Sequence, residues 1–213
     1  MVKLAFCDLE GTLLKGRTAW EDIKTKFGAK ELSDEYDQLY AEGKVGFEEW
    51  RRELVKIWKD YKVTKQQFAE ELSNYEYLPG VKELIAGLKK KGYKIVIVTG
   101  AISILAEMVQ KELGIDEMFT GHEFVFDDEG HFLDIKTHPA YRRGEGKVEV
   151  IKEIMLREGA KKEDCIAIGG DDINDYWMMK EMKSFAVKPH IRKIQEVVDF
   201  DVENLVEILK YID

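Results

Sequence analysis

Asp8 ends a short apolar run, Val2-Lys3-Leu4-Ala5-Phe6-Cys7, and opens the segment Asp8-Leu9-Glu10-Gly11-Thr12-Leu13-Leu14. Far downstream a second apolar run, Cys165-Ile166-Ala167-Ile168, ends in Gly169-Gly170-Asp171-Asp172-Ile173-Asn174-Asp175. In open parallel α/β sheets ligands bind beyond the carboxyl ends of the strands, so acids that close separate strands can converge there. Carboxylates brought together repel one another, and they coexist only with a cation, a shared proton or a phosphate–metal complex. Hard oxygen ligands that leave room for phosphate favour Mg²⁺. The two strand ends therefore point to one metal site.

The elements that must position these acids read as an alternation. Residues 2–8 form a buried strand, and Lys94-Ile95-Val96-Ile97-Val98-Thr99 forms another, after a helix over Val81–Lys89 that stops at Gly92. A helix is expected after Gly100, with Ile104, Leu105, Met108, Val109 and Leu113 on its apolar stripe and Gly114 as its stop. A short strand near Met118-Phe119-Thr120 precedes a hairpin with an acidic turn over residues 123–133. A helix over Lys147–Glu158, a strand at Phe185-Ala186-Val187 and a closing amphipathic helix over residues 202–209 complete the pattern. This is the rhythm of a doubly wound, Rossmann-like parallel α/β sheet.

The stretch from Trp20 to Tyr75 breaks that rhythm. It lacks β-branched runs and shows helical spacing in Phe47, Trp50, Leu54, Ile57 and Trp58, with Tyr36, Leu39 and Tyr40 on another helix and Phe68 and Leu72 on a further one. Such aromatics are expected to form core. The expected organisation is a core of residues 1–15 and 78–213 carrying the catalytic site, with an α-helical cap over residues 16–77 that selects substrate; Pro79-Gly80 marks the return.

Whole-chain properties bound the function. A length of 213 residues suits one large domain or a core with an insert. A hydrophobic fraction of 45% with no tract of transmembrane length gives a globular protein with no membrane span and no signal peptide expected. The net charge of −9 argues against nucleic acid as the main partner, since phosphate contacts need clustered Lys and Arg. Cys7 and Cys165 lie in strand-like runs without metal-ligand spacing, as expected of buried thiols in a reducing cytoplasm. His122, His131, His138 and His190 share no metal-ligand spacing, and surface or packing roles are expected for them.

The chain resembles the haloacid dehalogenase superfamily of phosphohydrolases, in its phosphoserine phosphatase-like branch. The family's first motif matches Asp8, Glu10, Gly11 and Thr12; the second matches Thr99 with Gly100; the third, a lone Lys, matches Lys147; the fourth matches Gly170-Asp171-Asp172-Ile173-Asn174-Asp175. Each motif alone is weak, but four in order on the expected elements are specific. The resemblance implies a Mg²⁺-dependent phosphomonoesterase acting on a small phosphorylated metabolite, as a monomer or homodimer. Asp8 would attack phosphorus to form an aspartyl-phosphate. Thr99 would donate to a phosphoryl oxygen beside the amides of a following helix N-terminus. Lys147 would neutralise nucleophile and phosphate. Asp8, Asp171 and the Glu10 carbonyl would hold the metal, Asp175 would support them from behind, and Asn174 would touch substrate.

The chain departs from the family at several positions, among them Asp172, which replaces a common Gly as either a loop residue or an extra ligand. Glu10 stands where Asp usually serves as acid and then base; a misplacement of about 1 Å can cost roughly a hundredfold in rate. Relatives that carry Glu here include phosphotransferases, so transfer to a small alcohol stays open beside hydrolysis, as does a non-catalytic phosphate-binding role. In phosphoserine phosphatases a Glu after the first motif and a cap Arg hold the serine amino and carboxylate groups. By spacing these fall on Arg17 and near Leu54, with Arg51 and Arg52 close by. A cation at 17 would repel an ammonium and attract a carboxylate or a second phosphate, so phosphoserine is expected to be a poor substrate.

Overall fold

The computed structural model describes residues 2–16, 19–138, 146–189 and 191–213. Strand β1 (Lys3–Cys7) lies at the centre of a seven-stranded sheet. Its neighbours are β2 (Tyr93–Ile102) on one side and β5 (Cys165–Ile168) on the other, both parallel to it. Beyond β2 lie β3 (Glu117–Phe126) and the antiparallel β4 (Phe132–Thr137). Beyond β5 lie β6 (Lys183–Val187) and β7 (Phe200–Val202), both parallel. The order β4-β3-β2-β1-β5-β6-β7 reverses direction at β1, and a ligand crevice is expected at the carboxyl ends there.

The near-continuous apolar runs of β1 and β2 follow from burial on both faces. Ala5, Cys7, Ile95 and Ile97 face one cluster, with helices α5 (Val81–Lys90) and α6 (Ser103–Leu113) packed on it through Leu84, Leu88, Leu105 and Val109. Leu4, Phe6, Val96 and Val98 face the other, covered by α7 (Gly146–Glu158) and α8 (Asp175–Glu181) through Ile151, Ile154 and Met178. Cys7 and Cys165 are buried free thiols. Among the described residues, no helix is long and apolar enough to cross a membrane.

Between β1 and α5 the chain forms four helices, α1 (Ala19–Lys26), α2 (Lys30–Ala41), α3 (Phe47–Asp60) and α4 (Lys65–Leu72). The base of this insert is closed by Leu14 bridging Tyr77, with Leu78 N–H donating to the Leu13 carbonyl at 2.9 Å and Lys15 N–H to the Glu76 carbonyl at 2.8 Å. Its aromatics meet the β3–β4 hairpin: Trp58, Phe68, Phe124 and Phe132 pack with ring centroids 5.3–5.7 Å apart. The Arg51 guanidinium bonds the Asp134 carboxylate and, at 3.1 Å, the Ile135 carbonyl.

Three local expectations need correction. Strand β2 runs past Thr99 to Ile102, because Ala101 and Ile102 are buried and Ile102 pairs with His122 after an irregularity in the ladder. The strand near Met118 and the first arm of the hairpin are one ten-residue strand, β3, which pairs with β2 and then with β4. The C-terminal stretch is strand at Val202 and then a single 3₁₀ segment, Leu205–Lys210, capped by the Asn204 side chain accepting from Val206 N–H at 3.0 Å.

Candidate active site

Asp8 leaves the tip of β1 buried, at 4% exposure, with its N–H donating to the Ile168 carbonyl at 2.9 Å. The strand stops because the Leu9 carbonyl accepts from Leu13 and Leu14 N–H at 2.8 and 2.9 Å, which folds residues 9–14 into a tight turn. Gly11 sits in this turn at φ +70°, and a Cβ there would run into the Asp171 carboxylate. The missing side chain is thus what lets the two strand-end segments touch. Glu10 turns back across the turn, and its Oε1 accepts from Ala19 N–H at 2.6 Å, in the first turn of α1.

Beyond β5, Gly170 at φ +117° donates its N–H to Asp175 Oδ2 at 2.7 Å. Lys147, on the first turn of α7 and 3% exposed, places Nζ 2.6 Å from Asp8 Oδ1 and 2.6 Å from Asp175 Oδ1. A buried ammonium needs such paired carboxylates to remain charged. Thr99 is 2% exposed, and its Oγ1 accepts from Ala101 N–H at 3.1 Å, leaving the hydroxyl proton to donate elsewhere. The helix after it begins only at Ser103, so its N-terminus lies further from Thr99 than expected from the sequence.

Carboxylate oxygens of Asp8, Asp171 and Asp175 lie within 4.8 Å of one another. Burial raises the Asp8 carboxyl above its ordinary range, against the opposing pull of Lys147. Burial also pushes Asp171 up to about 6, helped by the Asp175 charge, and Asp175 up to about 6, opposed by Lys147. Glu10 rises to about 7 by burial, reinforced by Asp8 and Asp171 and opposed by the Ala19 N–H. Asp171 Oδ1 is buried without a hydrogen-bond partner among the described residues. Crowded, under-neutralised carboxylates with an orphaned oxygen fit a hard divalent cation.

One cavity of about 660 Å³ gathers Asp8, Glu10, Thr99, Gly100, Lys147, Asp171 and Asn174 on its walls, while Asp175 stands behind Lys147. Asp172 lines the rim, its Oδ1 accepting from Asn174 N–H at 2.8 Å. Arg17 lies outside the described residues. Leu54 is a core residue at 1% exposure, Arg51 is bound to Glu48 and Asp134, and Arg52 is exposed and absent from the described cavity wall.

Among the lining residues outside the sequence motifs are two aromatic rings, Trp20 and His122. His122, expected at the surface or in packing, lies on the cavity wall because β3 runs parallel to β2 and Ile102 pairs with it.

The family pattern described as haloacid dehalogenase-like hydrolase matches residues 5–180. The chain belongs to the haloacid dehalogenase-like hydrolases. Within that family it is 29% identical over 213 residues to the phosphoserine phosphatase of Methanocaldococcus jannaschii, covering 99% of this chain and 97% of that one. It is 26% identical over 215 residues to the phosphoserine phosphatase of Wolinella succinogenes, covering 99% and 100%. A solved structure of a phospho-aspartyl intermediate analogue of phosphoserine phosphatase superposes with a TM-score of 0.76 at 27% identity, over 100% of this chain and 99% of that one.

Proposed function

We propose that this haloacid dehalogenase-like hydrolase is a phosphatase that cleaves a small phosphorylated metabolite in two steps through Asp8. The observation that carries the reading is the buried Lys147 ammonium, 2.6 Å from Asp8 and from Asp175, at the floor of a cavity that also holds Thr99 and Asp171. In the first step an Asp8 carboxylate oxygen bonds to phosphorus and the ester P–O bond breaks. The Glu10 proton passes to the departing alkoxide, for which a carboxyl titrating near 7 is suited. In the second step water adds to phosphorus, its proton returns to Glu10, and the Asp8–phosphorus bond breaks. Throughout, the Thr99 hydroxyl and the Lys147 ammonium stabilise the negative phosphoryl oxygens.

Asp8, Asp171 and the Glu10 carbonyl would hold Mg²⁺, which supplies positive charge against the phosphoryl oxygens. Residues 16–77 would act as the cap: Trp20 reaches the Gly100 carbonyl just past Thr99, and Trp58 and Phe68 pack on the β3–β4 hairpin. Two buried free thiols support a reducing, cytoplasmic setting, and a monomer or homodimer is the assembly we infer. Phosphate release from a panel of phosphomonoesters, with Mg²⁺ and with EDTA, tests the reading. Release that needs the metal and falls by at least about a thousandfold in Asp8→Asn is expected; release that survives Asp8→Asn would overturn it.

A further inference from the structure

Two aromatic rings, Trp20 and His122, line the cavity beside the acids. Trp20, on the first turn of α1, donates Nε1–H to the Gly100 carbonyl at 3.4 Å, which fixes the indole next to the backbone that follows Thr99. His122 meets it edge-on at 5.2 Å, and Phe124 backs it at 5.7 Å. The imidazole is itself tied, with Nδ1 3.2 Å from Thr137 Oγ1. Burial depresses His122 to about 4, so the ring is uncharged near neutrality.

The described charges that line the cavity are mostly acidic. The acids among them are Asp8, Glu10, Glu21, Asp171 and Asp172, and the one cation among the described lining residues, Lys147, is committed to Asp8 and Asp175. Glu21 is already paired with Lys24 at 2.5 Å and Lys30 at 2.8 Å. A leaving group with a carboxylate would therefore meet acids and no uncommitted cation among the described lining residues. One with an ammonium would find Glu21 already neutralised.

We propose that Trp20 and His122 form the leaving-group subsite, and that the substrate is a phosphate ester of an uncharged alcohol with an apolar face, not of an amino-acid zwitterion. This rests on the phosphatase reading above. An apolar ring or chain packs on the part of the indole that lines the cavity, while the neutral imidazole offers a polar edge that carries no charge to repel or attract. The relatives' phosphoryl chemistry is kept; the selectivity at its far end is set by this wall.

Benzyl phosphate, glycerol 3-phosphate, phosphoethanolamine and phosphoserine serve as probes for the full chain with Mg²⁺. Their leaving alcohols differ chiefly in charge and in apolar surface. Benzyl phosphate is expected to exceed phosphoserine in kcat/KM by at least about tenfold. Trp20→Ala should lower kcat/KM for benzyl phosphate by about tenfold more than it lowers kcat/KM for glycerol 3-phosphate, mostly through KM. Trp20→Phe, which keeps a ring, should restore most of the difference, so that a folding defect is separated from a lost contact. Phosphoserine ranking first, or a benzyl preference that Trp20→Ala leaves untouched, would overturn the subsite while the phosphatase reading stands. Asp8-dependent release from none of these or any other ester would overturn both.

Discussion

Gly11 and His122 carry their importance in opposite ways, one through an absent side chain and the other through an uncharged one. At Gly11 a methyl group would meet Asp171 and impose a left-handed backbone on an L-residue. Gly11→Ala is expected to cost about 1–3 kcal/mol in urea unfolding, and a loss below about 0.5 kcal/mol would show that the turn simply moves aside. For His122 the folded ring titrates near 4 against 6.5 when unfolded. Between those values the unfolded chain binds the extra proton, so this residue's contribution to stability is complete above pH 6.5 and is lost as pH falls toward 4. Asp171 and Asp175, raised to about 6, act with the opposite sign over part of that range. The difference between the wild type and His122→Gln isolates the histidine: wild-type stability should fall more steeply from pH 6.5 to pH 4. Parallel curves would show that the ring is protonated in the folded state.

The helices and strands follow the apolar periodicity wherever one element packs on another, and depart from it where a partner strand decides. The helix over Val81–Lys90 needed only its stripe of Leu84, Ile85 and Leu88 and the glycine that follows. The overrun of β2 to Ile102 depends on pairing with a strand more than ten residues downstream, and local spacing does not encode that. The C-terminal segment has the composition of a helix, but it is a six-residue 3₁₀ turn between an Asn204 cap and Tyr211. Two of the insert's aromatic residues, Trp58 and Phe68, form core as their spacing implied, with Trp58 fully buried against Phe68, Phe124 and Phe132. Because this cluster joins the insert to the hairpin, Trp58→Ala is expected to destabilise by about 3–5 kcal/mol. Denaturant unfolding measures it, and a loss under about 1 kcal/mol would mean that insert and sheet are joined elsewhere.

Across the molecule, the phosphoryl end of the cavity was legible in the sequence and the leaving-group end was not. Asp8, Thr99, Lys147 and Asp171 sit at or beside element ends that apolar runs and glycines announce. Trp20 and His122 reach the same cavity from an inserted helix and an outer strand, and only the three-dimensional arrangement brings them together. The acids also set the response of the whole chain to metal. Three carboxylates within 4.8 Å, partnered by one ammonium, leave charge that a cation would relieve. Mg²⁺ at about a hundred times its Kd is expected to stabilise by about 2.7 kcal/mol, or roughly 5–10 °C in Tm for a chain of this size. Asp171→Ala should abolish that shift. An equal shift in the variant would place the ion elsewhere.

The central place of β1 has one more consequence. Its residues from Leu4 to Cys7 have no exposure and are hydrogen-bonded to strands on both sides. Amides so placed exchange with solvent deuterium only when the whole domain opens. Asp8 hangs from an element expected to exchange slowest, so local fraying of the helices around the cavity would alter access to it without displacing the Asp8 carboxylate.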